Sequence, residues 1–143
     1  LVDLIYYVDE AIIKYQPKKV FIYCGENDIA DVDTVSPATV FNRFKTLHTI
    51  LLTKLPKATK IVFVSLKPSI ARWHLESKFM EANQLIQAYI ATQKNIQYLD
   101  IHALMLDENK EVLKDIFIAD KLHLNPKGYL IWQKAFAPYL ISQ

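Results

Sequence analysis

The sequence predicts an α/β domain in which a parallel sheet carries helices on both faces, giving three layers. Its 143 residues, of which 52% are hydrophobic, are enough for one domain with a substantial buried core. Segments with helical apolar spacing alternate with short runs that are apolar throughout, and such runs are typical of strands buried on both faces. This alternation is the pattern that builds parallel sheets flanked by helices.

The first helix and the first strand lie within the opening 24 residues. Residues 2–15 place apolar side chains at helical spacing, and Pro17 ends that helix. Residues 18–24, KKVFIYC, form an apolar, β-branched and aromatic run that predicts a strand buried on both faces. As the first strand it would lie at a bare sheet edge, and a hydrophobic edge without a partner promotes aggregation. We therefore expect these 143 residues alone to fold poorly.

The next helix has a clear start and a clear end. Ser36 is a typical N-cap and Pro37 a typical first-turn residue, while Pro56 ends the helix. Residues 60–66, KIVFVSL, then predict a second buried strand.

The second half of the chain repeats this order. A helix is predicted from about 75 to 93 and a third strand over residues 96–101. Residues 104–117 contain the polar turn DENK between apolar flanks, which suggests a hairpin-like excursion. Asn125 and Pro126 then begin the final helix.

Composition and charge exclude several classes of protein. The net charge of +2 is small and scattered, which argues against a nucleic-acid partner. No apolar run approaches the roughly 18 residues of a membrane span, so none is predicted. Cys24 is the single cysteine, so no disulfide can form within this sequence.

Three polar segments follow the predicted strands. They are GENDIAD at residues 25–31, KPSIARW at 67–73 and IADKLHL at 118–124. In parallel sheets the functional residues lie on loops beyond the carboxyl ends of the strands. We therefore expect these three segments to converge into one site.

Asp120 and His123 form the first candidate pair. Their spacing allows the carboxylate to accept the Nδ1 proton of the imidazole, which fixes the tautomer and stabilises the imidazolium. The other ring nitrogen is then free to act as a general base toward an alcohol. The alternative is a surface turn in which the aspartate only caps nearby amides.

Asn27 is the second candidate. It follows Gly25, which ends the first predicted strand, and its primary amide could donate a hydrogen bond to a developing oxyanion. The alternative is an ordinary turn in which glycine, asparagine and aspartate supply positive φ angles and local hydrogen bonds.

The two motifs, GENDI and DKLHLNPKGY, resemble those of the SGNH hydrolases, also called GDSL-type esterases and lipases. SLKPSIARW and LHLNPKGYLIW also resemble one branch of these enzymes, so the likeness covers almost the full chain. The resemblance implies a flavodoxin-like fold and a carboxylic ester hydrolase with His123 as the base, Asp120 as its orienting partner and Asn27 as an oxyanion donor. It also implies a sheet of five strands in the order 2-1-3-4-5, of which strands 3, 4 and 5 are present here.

The nucleophile that the resemblance requires is missing from this sequence. None of the serines lies in a Gly-Asp-Ser context; they are Ser36, Ser65, Ser69, Ser77 and Ser142. Ser36 is explained as a helix cap, and Ser65 lies at the correct strand end but has different neighbours. We expect the nucleophile upstream of Leu1, so that residues 1–143 form the C-terminal part of a single domain. Its N-terminal strands would pair with the edge of residues 19–24.

Four further residues are assigned to the substrate pocket: Gly25, Asp28, Arg72 and Trp73. Asp28 would also brace its loop by accepting backbone hydrogen bonds, and Arg72 and Trp73 could line an acyl or sugar pocket. Ordinary packing of Trp73 is an open alternative. Asp100, at the end of the third strand, is a competing candidate for the acid of the triad.

The leading hypothesis is a serine-dependent hydrolase of a small-molecule ester, with no cofactor. A metal site is not predicted, because the histidines lack a spacing such as His-Glu-x-x-His. The alternative is a non-catalytic binding module of the same fold that lacks the nucleophile. A nucleotide-binding protein would need a glycine-rich phosphate loop, and the chain contains only two glycines.

Overall fold

A computed structural model of the chain describes residues 1–31 and 34–141. In these residues a three-stranded sheet is surrounded by six α-helices and several short 3-10 turns. The strands are β1 (Lys19–Ile22), β2 (Lys60–Val64) and β3 (Ile96–Leu99). The helices are α1 (Val2–Tyr6), α2 (Val8–Ala11), α3 (Glu26–Asp31), α4 (Pro37–Lys54), α5 (Glu76–Ile90) and α6 (Pro126–Leu140).

The sheet is parallel and follows the order β1-β2-β3. Lys19 lies opposite Lys60 in the first pair, and Ile61 lies opposite Ile96 in the second. The predicted α/β class is therefore confirmed. β1 is an edge strand among the described residues, while β2 is paired on both sides.

Two hydrophobic clusters cover the two faces of the sheet. Ile61 and Phe63 of β2 point into the first cluster, to which α4 and α5 each contribute four buried side chains. Val62 and Val64 point into the second cluster, which includes residues that precede α6 and is packed against α6 itself. Successive side chains of a strand alternate between faces, so the four apolar residues of β2 that follow Lys60 build both cores and three layers result.

The first predicted helix is interrupted in the structure. Residues 2–15 form α1, α2 and a 3-10 turn at Ile13–Tyr15, after which Gln16 adopts a left-handed conformation with φ 45°. The apolar residues of all three pieces nevertheless pack on the first cluster. Helical periodicity correctly indicated the buried face except at Tyr15, which is 67% exposed, and it does not report whether a helix is continuous.

The predicted hairpin-like excursion over 104–117 is reduced to a single antiparallel bridge between Leu106 and Val112. Asp107 closes the turn between them, since its carboxylate accepts hydrogen bonds from the backbone of Asn109 and Glu111. A 3-10 turn at Lys114–Ile116 follows.

Gly128 explains how α6 is placed against the preceding chain. A Cβ atom at this position would lie 2.5 Å from the carbonyl oxygen of Ile116 and 2.8 Å from the Leu124 side chain. Glycine therefore permits a contact with the segment that carries His123.

Of the helices in the described ranges, none has both the length and the apolar character needed to cross a membrane.

Candidate active site

A cavity of about 1210 Å³ opens at the carboxyl edge of the sheet. The segments after β1, after β2 and before α6 all contribute to its wall, as the sequence predicted. The lining residues from these segments that bear on function are Gly25, Glu26, Asn27, Asp28, Lys67, Arg72 and His123. The structure thus brings Asn27 and His123 to the same cavity from distant parts of the chain.

Asp120 and His123 lie in direct contact. The Nδ1 atom of His123 is 2.6 Å from Oδ2 of Asp120, and Oδ1 of the same carboxylate accepts hydrogen bonds from the backbone N–H groups of Leu122 and His123, each at 2.9 Å. The bond to His123, followed by the two backbone bonds, lowers the pKa of Asp120 to about 2. The imidazole is thereby held by an acceptor that is ionised at neutral pH, while 70% of the His123 side chain is exposed.

Asn27 lies on a helix rather than on the loop that the sequence suggested. The segment GENDIAD turns directly into α3, and Asn27 is in its first turn. Its side-chain oxygen Oδ1 accepts a hydrogen bond from the Arg72 guanidinium at 2.8 Å. Arg72 therefore contacts the candidate oxyanion donor in addition to lining the cavity.

A buried ionic cluster lies behind these groups, and the sequence analysis did not identify it. Glu26 is only 7% exposed. Its Oε1 atom is 3.4 Å from Nζ of Lys67 and 3.5 Å from the Arg72 guanidinium, and the Tyr23 hydroxyl donates to its other oxygen. Burial raises the pKa of Glu26 although both cations act to lower it, and burial lowers the pKa of Lys67. The available signal was a charged residue a few positions beyond the end of β1 and of β2, Glu26 after Ile22 and Lys67 after Val64.

Lys67 also contacts the segment that carries the histidine. Its ammonium group donates a hydrogen bond to the carbonyl oxygen of Leu122 at 3.0 Å. Glu26 is thus linked through Lys67 to the neighbour of His123, and through Arg72 to Asn27.

The other predicted pocket residues have different surroundings. Gly25 has φ +129°, and a Cβ there would lie 3.1 Å from Val40 and 3.2 Å from Leu66, so it permits a tight turn below the cavity. The Asp28 carboxylate accepts from the Arg43 guanidinium and from the main-chain nitrogen of Leu1, each at 2.6 Å, so it braces α3 through a side chain as well as through main chain. Trp73 packs against the second core cluster, in keeping with the packing alternative.

The serines of the described residues do not lie at the cavity. Ser65 is fully buried, and its oxygen accepts the backbone N–H of His102. Ser69 is also buried and accepts the backbone N–H of Arg72. Ser36 caps α4 as predicted. Ser142 lies outside the described residues.

Asp100, the competing candidate for the acid, makes its hydrogen bond to backbone and not to His123. Its carboxylate accepts the backbone N–H of Ala103 at 3.0 Å and so caps the 3-10 turn that follows β3. Within the described ranges, no three histidine, cysteine or acidic side chains cluster closely enough to hold a metal ion.

Comparison with known proteins places the chain in a family. The family model described as the GDSL-like Lipase/Acylhydrolase family matches residues 3–131. The chain therefore belongs to the GDSL-like lipase/acylhydrolase family, which confirms the resemblance noted in the sequence. No curated protein is similar enough in sequence to give a significant match.

Solved structures share the fold at low sequence identity. A putative platelet activating factor from Streptococcus pneumonia is 21% identical, with a TM-score of 0.83 over 98% of this chain and 67% of that chain. A GDSL-like lipase from Bacteroides thetaiotaomicron is 21% identical, with a TM-score of 0.79 over 96% of this chain and 69% of the other. A mutant acetyl-xylooligosaccharide esterase from Geobacillus has 17% identity, a TM-score of 0.78, and coverage of 99% and 68%. The chain spans about two thirds of the length of each of these proteins.

Proposed function

We propose that the complete protein hydrolyses esters of small molecules by acyl transfer to a serine. The observation that carries this proposal is the shared cavity: an imidazole held by a carboxylate and a primary amide both open into it. These are a general base with its orienting acid and an uncharged hydrogen-bond donor, which are parts that acyl transfer requires.

In the proposed reaction His123 removes the proton from the serine hydroxyl as that oxygen attacks the ester carbonyl. Asp120 holds the Nδ1 proton, so the other ring nitrogen is the one that accepts the serine proton. Asn27 donates to the oxygen on which negative charge develops in the tetrahedral intermediate. His123 then protonates the leaving alcohol, and a water molecule repeats the sequence on the acyl-enzyme.

We propose that the serine is contributed by residues that precede Leu1 in the complete protein. Two features support this. Leu1 lines the same cavity as His123, so chain entering at that point would reach this cavity, whereas no serine of the described residues lines it. In addition, β1 lacks a partner on one side within the described residues, and a groove of about 460 Å³ runs along that side. The preceding part of the same domain would pair with this edge.

The test uses the complete protein with p-nitrophenyl acetate as substrate. His123→Ala is expected to remove hydrolysis, because the imidazole is the group proposed to accept the serine proton. Labelling by a serine-directed fluorophosphonate should be fast in the wild-type protein and much slower in the His123→Ala variant. Undiminished turnover by His123→Ala would refute the assignment.

The binding-module alternative is favoured by one observation, the absence of a serine among the described cavity residues. It predicts that the complete protein is neither labelled by the fluorophosphonate nor active on the ester. The same pair of measurements therefore separates the two candidates.

A further inference from the structure

Asn27 and Arg72 meet at the cavity wall, and their contact restricts the amide. The guanidinium nitrogen lies 2.8 Å from Oδ1 of Asn27. An arginine side chain carries only donors, so the amide atom that faces it has to be the oxygen. The NH₂ group is consequently directed away from Arg72, and no acceptor among the described residues bonds to it.

The guanidinium is itself held from several directions. Its partners are Glu26 at 3.5 Å and Asp31 at 3.9 Å. The backbone N–H of Arg72 also donates to the buried Ser69 oxygen at 3.2 Å. An arginine tethered through both its backbone and its head group has little freedom to leave Asn27.

We propose that Arg72 is a positioning residue: it fixes the Asn27 carboxamide so that its NH₂ group, and not its oxygen, is presented to the reacting carbonyl. This inference rests on the proposed function and assigns Arg72 a role other than contact with substrate. Glu26 supports the arrangement by holding the guanidinium from the buried side.

The orientation matters because the two ends of a carboxamide have opposite effects on an oxyanion. The NH₂ end stabilises developing negative charge, whereas the oxygen end repels it. An amide free to rotate by half a turn would present the wrong end part of the time. A guanidinium on the oxygen also withdraws electrons from the amide, which makes the NH₂ group a stronger donor.

The experiment is a double-mutant cycle on the complete protein with p-nitrophenyl acetate. Asn27→Ala is expected to lower kcat by roughly 100- to 1000-fold, the usual cost of losing one oxyanion donor. Arg72→Met is expected to lower kcat by about 10- to 100-fold with little change in KM, because it misplaces a group that acts in the transition state. In the Asn27→Ala background the same Arg72→Met change should have almost no further effect on kcat.

Arg43→Met is the matched control, because it also removes a guanidinium from the cavity wall, where the partner is Asp28. The fold-reduction in kcat caused by Arg43→Met, whatever its size, should multiply with the fold-reduction caused by Asn27→Ala. Arg72→Lys should recover part of the kcat lost in Arg72→Met, since lysine keeps a donor and the charge but lacks the planar fork. Multiplicative effects of Arg72→Met and Asn27→Ala, or a change mainly in KM, would overturn the proposal.

A second measurement does not depend on turnover. The NMR signal of the Asn27 side-chain amide, identified by its loss in Asn27→Ala, should shift in Arg72→Lys if the guanidinium holds the amide. An unmoved signal overturns the proposal even if Arg72→Met fails to fold. A wild-type protein without esterase activity refutes the proposed function instead, while the NMR signal still reports on the contact.

Discussion

The Asp120 carboxylate makes three contacts within four residues of chain. It accepts from the imidazole of His123 and from two backbone N–H groups, and all three contacts favour its charged form. Its pKa therefore falls from about 3.8 to about 2. The stabilisation that this group contributes is present above its ordinary pKa and is lost as the pH falls through about 2. Asp120 is thus ionised at any pH at which an esterase is assayed.

We expect Asp120→Asn to lower kcat in the complete protein by up to about 10⁴-fold. The carboxylate fixes the imidazole in the tautomer that the reaction requires, and the amide of asparagine does not. Steady-state hydrolysis of p-nitrophenyl acetate measures this. Asp100→Asn is the matched control and should stay near wild-type activity, since Asp100 only caps a 3-10 turn. If Asp100→Asn caused the large loss and Asp120→Asn did not, the assignment of the acid would be reversed.

At the scale of secondary-structure elements, α4 and α5 meet around a buried histidine. The Nδ1 atom of His48 is 3.0 Å from the Tyr89 hydroxyl, while its Nε2 atom is buried and has no partner among the described residues. Burial lowers the pKa of His48 below its usual value of 6.5. As the pH falls below about 6.5, His48 binds a proton more readily in the unfolded chain than in the folded protein. The free energy of unfolding therefore decreases over this pH range.

This linkage predicts a pH-dependent effect of His48→Gln. The thermal midpoint of the wild-type protein should fall more steeply between pH 7 and pH 5 than that of the variant, because glutamine does not titrate. The gap between the two midpoints, measured by circular dichroism, should therefore change with pH. His74→Gln, at an exposed histidine, should keep the wild-type slope. Parallel slopes for wild type and His48→Gln would contradict the prediction.

The start of α6 supplies a second prediction about an element. Gly128→Ala places a methyl group 2.5 Å from the Ile116 carbonyl oxygen, and backbone can relieve this overlap only by shifting the helix. We expect the free energy of unfolding of the complete protein, measured by urea denaturation, to fall by about 1–3 kcal/mol. Lys127→Ala, one residue earlier and exposed, should cost no more than about 0.5 kcal/mol. Equal effects of the two changes would show that the close approach is unimportant.

At the scale of the whole molecule, β1 has one side without a partner strand among the described residues. The groove beside it is lined by apolar and aromatic side chains that include Leu4, Ile12, Tyr15 and Phe21. Tyr6, Tyr7 and Tyr15 are exposed nearby in the segment that precedes β1. An apolar edge strand of this kind pairs readily with another chain when its own partner is missing.

We therefore expect residues 1–143 produced alone to associate and to unfold without a sharp transition, whereas the complete protein should be soluble and unfold cooperatively. Light scattering and thermal denaturation of the two proteins at equal concentration measure this difference. A monomeric segment with a cooperative transition would contradict both the prediction and the proposed partner of β1.

Several features of the fold are specified by short stretches of the sequence. The apolar runs around Ile22 and Phe63 predicted strands, and Ser36, Pro37 and Asn125 predicted helix starts, because these signals depend on neighbouring residues alone. The continuity of the first helix could not be read in this way. A stretch with the correct apolar face can reach the core as one helix or as three short pieces, and packing decides between them.

The sequence by itself determined the α/β class, the parallel order of the elements and the short stretches that carry the acid, the imidazole and the amide. The first two follow from the periodicity of apolar residues, and the three stretches from residue spacing together with the resemblance of their motifs to those of the family. Only the tertiary structure decided that Arg72 holds Asn27, that Glu26 is buried between two cations, and that Trp73 packs into the core. Such contacts depend on how β1 and β2 lie side by side, and neither segment alone specifies which atoms of the other it will meet.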